Sequence, residues 1–145
     1  MKYLFLIFAF FLSVSCSSVP SEDLSSMSII EQFKEAEDFY KKGLLVQAES
    51  RYRALLATNP RMYDAWLRLG NIHARTGQLE AAILAFQKCI EISPERVNGW
   101  HNLSLTRVMQ ATEVAKEGLG VIDSKDSDRK ELEKMFEGLI YFNKI

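Results

Sequence analysis

The chain has 145 residues, of which 48% are hydrophobic and 26% are charged, so it is long enough for one domain with its own packed core. Its 18 basic and 19 acidic side chains nearly cancel, which argues against binding to nucleic acid or to other phosphate-rich surfaces. Two cysteines, Cys16 and Cys89, provide no disulfide framework, and Cys89 is expected to be a buried thiol.

The first segment of the chain has the pattern of an export signal. A single basic residue, Lys2, is followed by an uncharged, apolar run over residues 3–12, and small residues then precede Cys16. As a helix this run is too short to cross a bilayer, so cleavage is the better interpretation. Residues 1–15 are therefore predicted to be a signal peptide.

Cys16 occupies the position of the lipidated cysteine in bacterial lipoprotein signals, which this segment resembles. The resemblance implies that Cys16 becomes the first residue of the mature chain and anchors it through covalently attached lipid. Ser17, rather than an aspartate, follows the cysteine. In the lipoprotein family this implies sorting to the outer membrane, with the protein on its periplasmic face. A soluble periplasmic form and an inner-membrane anchor are the alternatives.

A serine-rich segment separates the predicted lipid anchor from the rest of the chain. Residues 17–28 contain six serines together with Pro20, Glu22 and Asp23, and no stretch long enough to bury an apolar face. Residues 16–28 are therefore predicted to be a flexible tether.

A helix-turn-helix unit recurs at a constant spacing through the middle of the chain. Its markers are a glycine that ends the first helix, an alanine where the two helices touch, an aromatic residue, a proline and a tryptophan. The corresponding pairs are Gly43 and Gly77, Ala48 and Ala82, Tyr52 and Phe86, Pro60 and Pro94, and Trp66 and Trp100. Since one such unit cannot bury its apolar face alone, the copies are expected to stack.

This pattern resembles the tetratricopeptide repeat, which implies an all-α fold, a short α-solenoid. The predicted repeat domain covers residues 29–123, with complete units at 29–62 and 63–96 and a divergent third unit at 97–123. In the third unit Ala111 occupies the position of the turn glycine. One interpretation is that its first helix continues past Ala111 toward Ile122.

Residues 124–145 are predicted to form an amphipathic capping helix. Asp128 and Glu131 have the spacing of an N-cap residue and its partner in the first turn. One stripe of the helix holds Leu132, Met135, Phe136, Leu139, Ile140 and Asn143. The stripe would cover the open end of the third unit, as solenoids require, and a docking helix for a partner is the alternative.

The family resemblance implies that the first helix of each unit lines a concave groove that binds protein segments. The groove positions on this chain are Phe33, Glu37, Tyr40, Lys41, Leu67, Asn71, Arg75, His101, Leu105 and Met109. Their apolar and aromatic members favour an apolar segment as the ligand. Asn71 and Arg75, one helical turn apart, are placed to bind a peptide backbone or a carboxylate. The lysine and asparagine clamp of chaperone-binding members is missing, because Phe33 and Glu37 stand in its place.

The residues give no sign of catalysis, a metal site or a cofactor. His73 and His101 have no cysteine or carboxylate at metal-ligand spacing, and no glycine-rich phosphate loop or nucleophile elbow is present. A short lipoprotein of such repeats is similar to the pilotin-type lipoproteins that help secretins or pili to assemble. The expected function is therefore a non-enzymatic, membrane-tethered binding module whose partner is a secretin, pilus or other envelope subunit. A scaffold for barrel assembly or cell-wall synthesis, and a self-associating homodimer, are the alternatives.

Overall fold

Six α-helices follow one another in the computed structural model, which describes residues 27–143. They are α1 (Ile29–Lys41), α2 (Leu45–Thr58), α3 (Tyr63–Arg75), α4 (Leu79–Ile92), α5 (Val97–Val121) and α6 (Arg129–Asn143). Each helix packs on the next, and α3 also contacts α5. No β-strand occurs within the described residues. The predicted all-α solenoid of helix-turn-helix units is confirmed.

The turn between α1 and α2 and the turn between α3 and α4 have the same structure. Gly43 and Gly77 have φ angles of 74° and 75°, in the left-handed region that favours glycine. The Gly43 N–H donates to the Tyr40 carbonyl and the Leu44 N–H to the Phe39 carbonyl, both at 3.0 Å. These bonds satisfy the last free carbonyls of α1 and stop the helix. The turn at Gly77 has the same pair of bonds.

The third unit lacks this turn, and its first helix does not stop. Ala111 lies one repeat length after Gly77, and α5 runs through it as one helix of 25 residues. The physical reason is that an alanine at this position would meet a steric penalty at positive φ, whereas it favours the helix. The third unit therefore has no short second helix of its own before α6.

Small and aromatic residues build the core where the helices meet. Ala36, Ala48 and Ala82 are completely buried and allow the helices to approach closely, while Tyr52 and Phe86 fill the space between them. The repeated tryptophans also share one hydrogen bond. The indole N–H donates to a proline carbonyl six residues earlier in both units, at 2.8 Å in the second and 2.9 Å in the third.

α6 packs against the second half of α5. The guanidinium of Arg129 donates to the carbonyls of Leu119 and Ile122, both at 2.7 Å, and so satisfies acceptors at the C-terminal end of α5. Leu132 faces Gly118, where an added Cβ would lie 3.0 Å from its Cδ2 atom. Of the predicted stripe, Leu132, Phe136, Leu139 and Ile140 are half-buried, and Met135 is exposed. That α6 covers the open end of the repeats stays a prediction.

The predictions for the signal peptide and for Cys16 concern residues 1–26, which lie outside the described part of the chain. Residues 144–145 and the side chain of Asn143 also lie outside it. Most of the predicted tether lies there too. Among the helices between residues 27 and 143, none combines the length and the hydropathy that crossing a membrane requires.

Candidate protein-binding groove

A cavity of about 290 Å³ opens between α3 and α5, and Tyr40 of α1 forms part of its wall. We call it the α3–α5 cavity. Five of the ten predicted groove residues line it, namely Tyr40, Asn71, Arg75, Leu105 and Met109. The other described lining residues are Ala74, Phe86, Asn102 and Thr106. Its volume is near the lower end of the range for ligand sites, which suits a short segment of a partner.

Helical spacing explains why these side chains converge. Asn71 and Arg75 are four positions apart on α3, and Asn102, Leu105 and Met109 have spacings of three and four on α5. Residues at these spacings share one face of a helix. Since α3 and α5 contact each other, the two faces form opposite walls of one cavity.

Two equivalent polar contacts join consecutive first helices. Glu37 of α1 binds Arg68 of α3, and Asn71 of α3 binds Asn102 of α5, so the second contact repeats the first one unit further along the chain. The first contact is an ion pair, and the second is a bond of 2.9 Å from Asn102 Nδ2 to Asn71 Oδ1. Along the groove, the contact between neighbouring first helices therefore changes from an ion pair to a hydrogen bond between two amides.

The carboxylate of Glu37 is already hydrogen-bonded to other side chains of this protein. Its carboxylate accepts hydrogen bonds from Nε and Nη2 of Arg68, and a third from the hydroxyl of Tyr52 at 2.7 Å. Burial alone would raise the pKa of Glu37, but these bonds and the guanidinium charge outweigh it and lower the pKa below its ordinary value. Phe33 packs edge-on against Tyr52, with 5.9 Å between ring centroids. Neither Glu37 nor Phe33 is among the described lining residues of the α3–α5 cavity.

The remaining three predicted groove residues also lie away from the described lining of the cavity. Lys41 is exposed in the last turn of α1, and His101 is exposed near the start of α5. Leu67 is half-buried on α3. The structure therefore gathers five of the ten predicted positions around one cavity and leaves five outside it.

Arg75 differs from Arg68 in its partners. Both guanidinium groups lie over the ring of Tyr40, at 4.9 Å for Arg68 and 5.6 Å for Arg75 from the ring centroid. Arg68 is neutralised by Glu37, whereas Arg75 has no carboxylate within ion-pair distance among residues 27–143. Arg75 is exposed and brings an uncompensated positive charge to the cavity.

Phe86 and Asn102 are the important lining residues that the sequence did not predict. The position of Phe86 on the second helix of its unit predicts packing between helices, and the structure shows that its ring also lines the cavity. Asn102 follows Asn71 at the same spacing at which Arg68 follows Glu37. That shared spacing between complementary side chains is the sequence signal that would have found it.

The other cavities and the possible metal or thiol sites of the described structure are less suited to binding a ligand. A cavity of about 400 Å³ lies among α2, α3 and α4, beside His73, which is buried and whose pKa is lowered by that burial. A cavity of about 640 Å³ follows one side of α6. Within residues 27–143, no cluster of three histidine, cysteine or acidic residues could hold a metal ion. Cys89 is buried, as expected from its place on the second helix of its unit.

The geometry of the units agrees with comparison to known proteins. A family model described as "Tetratricopeptide repeat" matches residues 33–96. Residues 33–96 are thus similar to tetratricopeptide repeats. Repeats of this family mediate protein–protein interactions.

Three curated relatives are similar to part of this chain. A peroxisomal targeting signal receptor of Pichia angusta is 31% identical over 85 residues, which cover 53% of this chain and 15% of the receptor. A TPR repeat-containing protein of Schizosaccharomyces pombe is 34% identical over 79 residues, or 54% of this chain and 10% of that protein. A UDP-N-acetylglucosamine–peptide N-acetylglucosaminyltransferase of Giardia intestinalis is 26% identical over 112 residues, or 72% and 7%. The chain thus spans only a small part of the length of these relatives.

Proposed function

We propose that this protein is a non-enzymatic binding module whose tetratricopeptide groove holds a segment of a protein partner at the α3–α5 cavity. The observation that carries the proposal is the composition of this cavity. Leu105 and Met109 supply apolar surface around the buried ring of Phe86, while Asn71 and Arg75 supply polar groups at one side. A few buried anchors with polar groups that fix orientation are what peptide recognition needs.

We further propose that the module is held at the periplasmic face of a bacterial outer membrane through lipid on Cys16. The support is the sequence pattern around Cys16, which lies outside the described residues. A lipid anchor and a flexible tether would keep the repeats near the membrane and raise the local concentration of any bound subunit. A secretin, pilus or other envelope-assembly subunit is the proposed partner, and no covalent chemistry is needed. The curated relatives come from eukaryotes, so this step rests on the sequence pattern alone.

Affinity purification from detergent-solubilised envelopes tests the proposal. The full-length protein is compared with a Cys16→Ser copy and with a Leu105→Asp copy, and co-purified proteins are identified by mass spectrometry. We expect a secretin or pilus subunit with the wild type, no membrane fractionation of Cys16→Ser, and loss of the partner with Leu105→Asp. Stoichiometric recovery of a barrel-assembly or cell-wall protein would favour the scaffold instead. A partner that is retained by Leu105→Asp would contradict binding at the cavity.

Self-association is a second candidate function. The observation that favours it is an exposed apolar surface at the end of α6, where Tyr141 and Phe142 contact each other and are both more than half exposed. A second copy could cover this surface through a two-fold contact. Sedimentation velocity across a hundredfold range of protein concentration would show a dimer if this candidate is right, and a constant monomer if it is wrong.

A further inference from the structure

The α3–α5 cavity has more positive charge and more hydrogen-bonding capacity than an apolar binding site needs. None of its described lining residues is acidic, and Arg75 is the charged one. The carboxylate that the groove does contain, Glu37, is bound by Arg68 and Tyr52. The charge of Arg75 is therefore available to a ligand.

The amide pair adds a second requirement. Asn102 Nδ2 donates to Asn71 Oδ1, which leaves Asn71 Nδ2 as a donor and Asn102 Oδ1 as an acceptor. Neither atom has another hydrogen-bond partner among the described residues. Neither atom is completely buried, so both can be reached by solvent. One donor beside one acceptor matches the C=O and N–H groups of a peptide backbone that continues on both sides.

The spacing of these groups sets the spacing within the ligand. Asn71 and Arg75 are one helical turn apart, which corresponds to about 5–6 Å. In an extended peptide, side chains two residues apart point the same way and are separated by about 6.6 Å. A peptide whose backbone is held at the amide pair would therefore present an apolar side chain to the apolar wall of the cavity and another side chain, two residues away, to Arg75.

We infer that the α3–α5 cavity selects extended peptide segments in which an aspartate or glutamate lies two residues from a large apolar side chain, with the carboxylate bound by Arg75. The apolar side chain packs on Leu105 and Met109, and the amide pair holds the backbone. This inference rests on the proposed function, because it names the chemistry of the segment that the groove would bind.

A peptide array measures this preference directly. The probes are octapeptides with acetylated and amidated ends, in a Gly/Ser background, with Leu, Ile, Met, Phe or Trp two residues before or after Glu, Asp, Gln or Asn. Full-length protein in detergent micelles is applied to the array, and affinities of the best pairs are measured by fluorescence anisotropy. Matched peptides that end in a free carboxylate at the same distance separate a side-chain acid from a chain terminus.

We expect each acidic peptide to bind about tenfold more tightly than its amide counterpart, a charge-assisted contact reduced by the exposure of Arg75. Arg75→Gln is expected to abolish this difference, because it removes the charge that distinguishes an acidic peptide from its amide counterpart. Arg61→Gln, at an exposed arginine before α3, is the matched control and should retain it. The difference should also shrink as salt is raised, because salt screens exposed charges.

The possible failures are distinguishable. If acidic and amide peptides bind equally, or if Arg75→Gln keeps the difference, the inference is wrong, while binding that is weakened by Leu105→Asp would still support the proposed function. If only peptides with a free terminal carboxylate bind, the inference of an internal acidic side chain is wrong. If no peptide on the array binds, both the inference and peptide binding at this cavity are overturned.

Discussion

Gly70→Ala is the substitution that tests the packing of the repeat core most sharply. Gly70 is buried on α3 against the ring of Phe86, and an added Cβ would lie 2.5 Å from Cε1 and 2.8 Å from Cδ1 and Cζ of that ring. Ordinary contacts of this kind begin at 3.4 Å, so the ring would have to move by roughly 0.9 Å. Phe86 is only 1% exposed, which means that its neighbours must move with it.

Two opposing terms give the expected magnitude. Overpacking a filled core costs about 1–3 kcal/mol, and a contact this short places Gly70→Ala near the upper end. The alanine also regains about 1 kcal/mol of helix propensity. The net effect is a loss of about 2 kcal/mol in the free energy of unfolding. Gly138→Ala on α6 is the matched control, because no atom lies within 4 Å of its added Cβ and a gain of about 0.5–1 kcal/mol is expected.

Urea unfolding followed by far-UV circular dichroism measures both variants. The double variant that combines Gly70→Ala with Phe86→Leu should lose less free energy of unfolding than the sum of the losses of the two single variants. The reason is that the smaller leucine side chain leaves room for the new methyl group. If Gly70→Ala is as stable as the wild type, or if the double variant shows strict additivity, the account of the contact between Gly70 and Phe86 is wrong.

Three further results are expected. Glu37→Gln should lower the free energy of unfolding by about 1 kcal/mol at pH 7, since it weakens the bonds with Arg68. Because the pKa of Glu37 is lowered in the folded state, its contribution exists above its ordinary pKa and is lost as the pH falls through the lowered value. The urea midpoints of variant and wild type should therefore converge as the pH falls below that lowered value. Tyr63→Phe removes the hydroxyl that accepts the buried Gly99 N–H at 3.0 Å, and a loss of about 1–3 kcal/mol is expected in the same urea assay. The pKa of the Cys89 thiol is raised to about 12 by burial, so it should not react with a maleimide at pH 8 until urea unfolds the chain, and rapid labelling of folded protein would contradict its burial.

The sequence was most informative where a local rule fixes the backbone. Gly43 and Gly77 end their helices because glycine adopts a positive φ angle without a steric penalty. The ends of the first helices in both units could therefore be predicted from the sequence. Ala111, at the same position of the third unit, indicated the long helix that α5 forms. In these places one residue decides between two local structures, and no information about distant contacts is needed.

The binding site was less predictable because it depends on which side chains neutralise each other across helices. Glu37 has the sequence position of a groove residue, but Arg68, on the next first helix, binds it with two hydrogen bonds. Asn102 was missed for the same reason, since its role follows from its contact with Asn71 on another helix. The family pattern marks the face of each helix, whereas the free charge of Arg75 emerges only from the set of contacts around it.

Site-specific photocrosslinking in the native host tests the central claim, that the α3–α5 cavity is where a partner binds. A benzophenone amino acid is placed at Leu105 or Met109 in the cavity, and at Val46 or Leu84 as controls, which are exposed and are not among its described lining residues. Crosslinks to one partner from Leu105 and Met109, and none from Val46 and Leu84, are the predicted result. Equal crosslinking from all four positions, or crosslinks from the control positions alone, would contradict the claim.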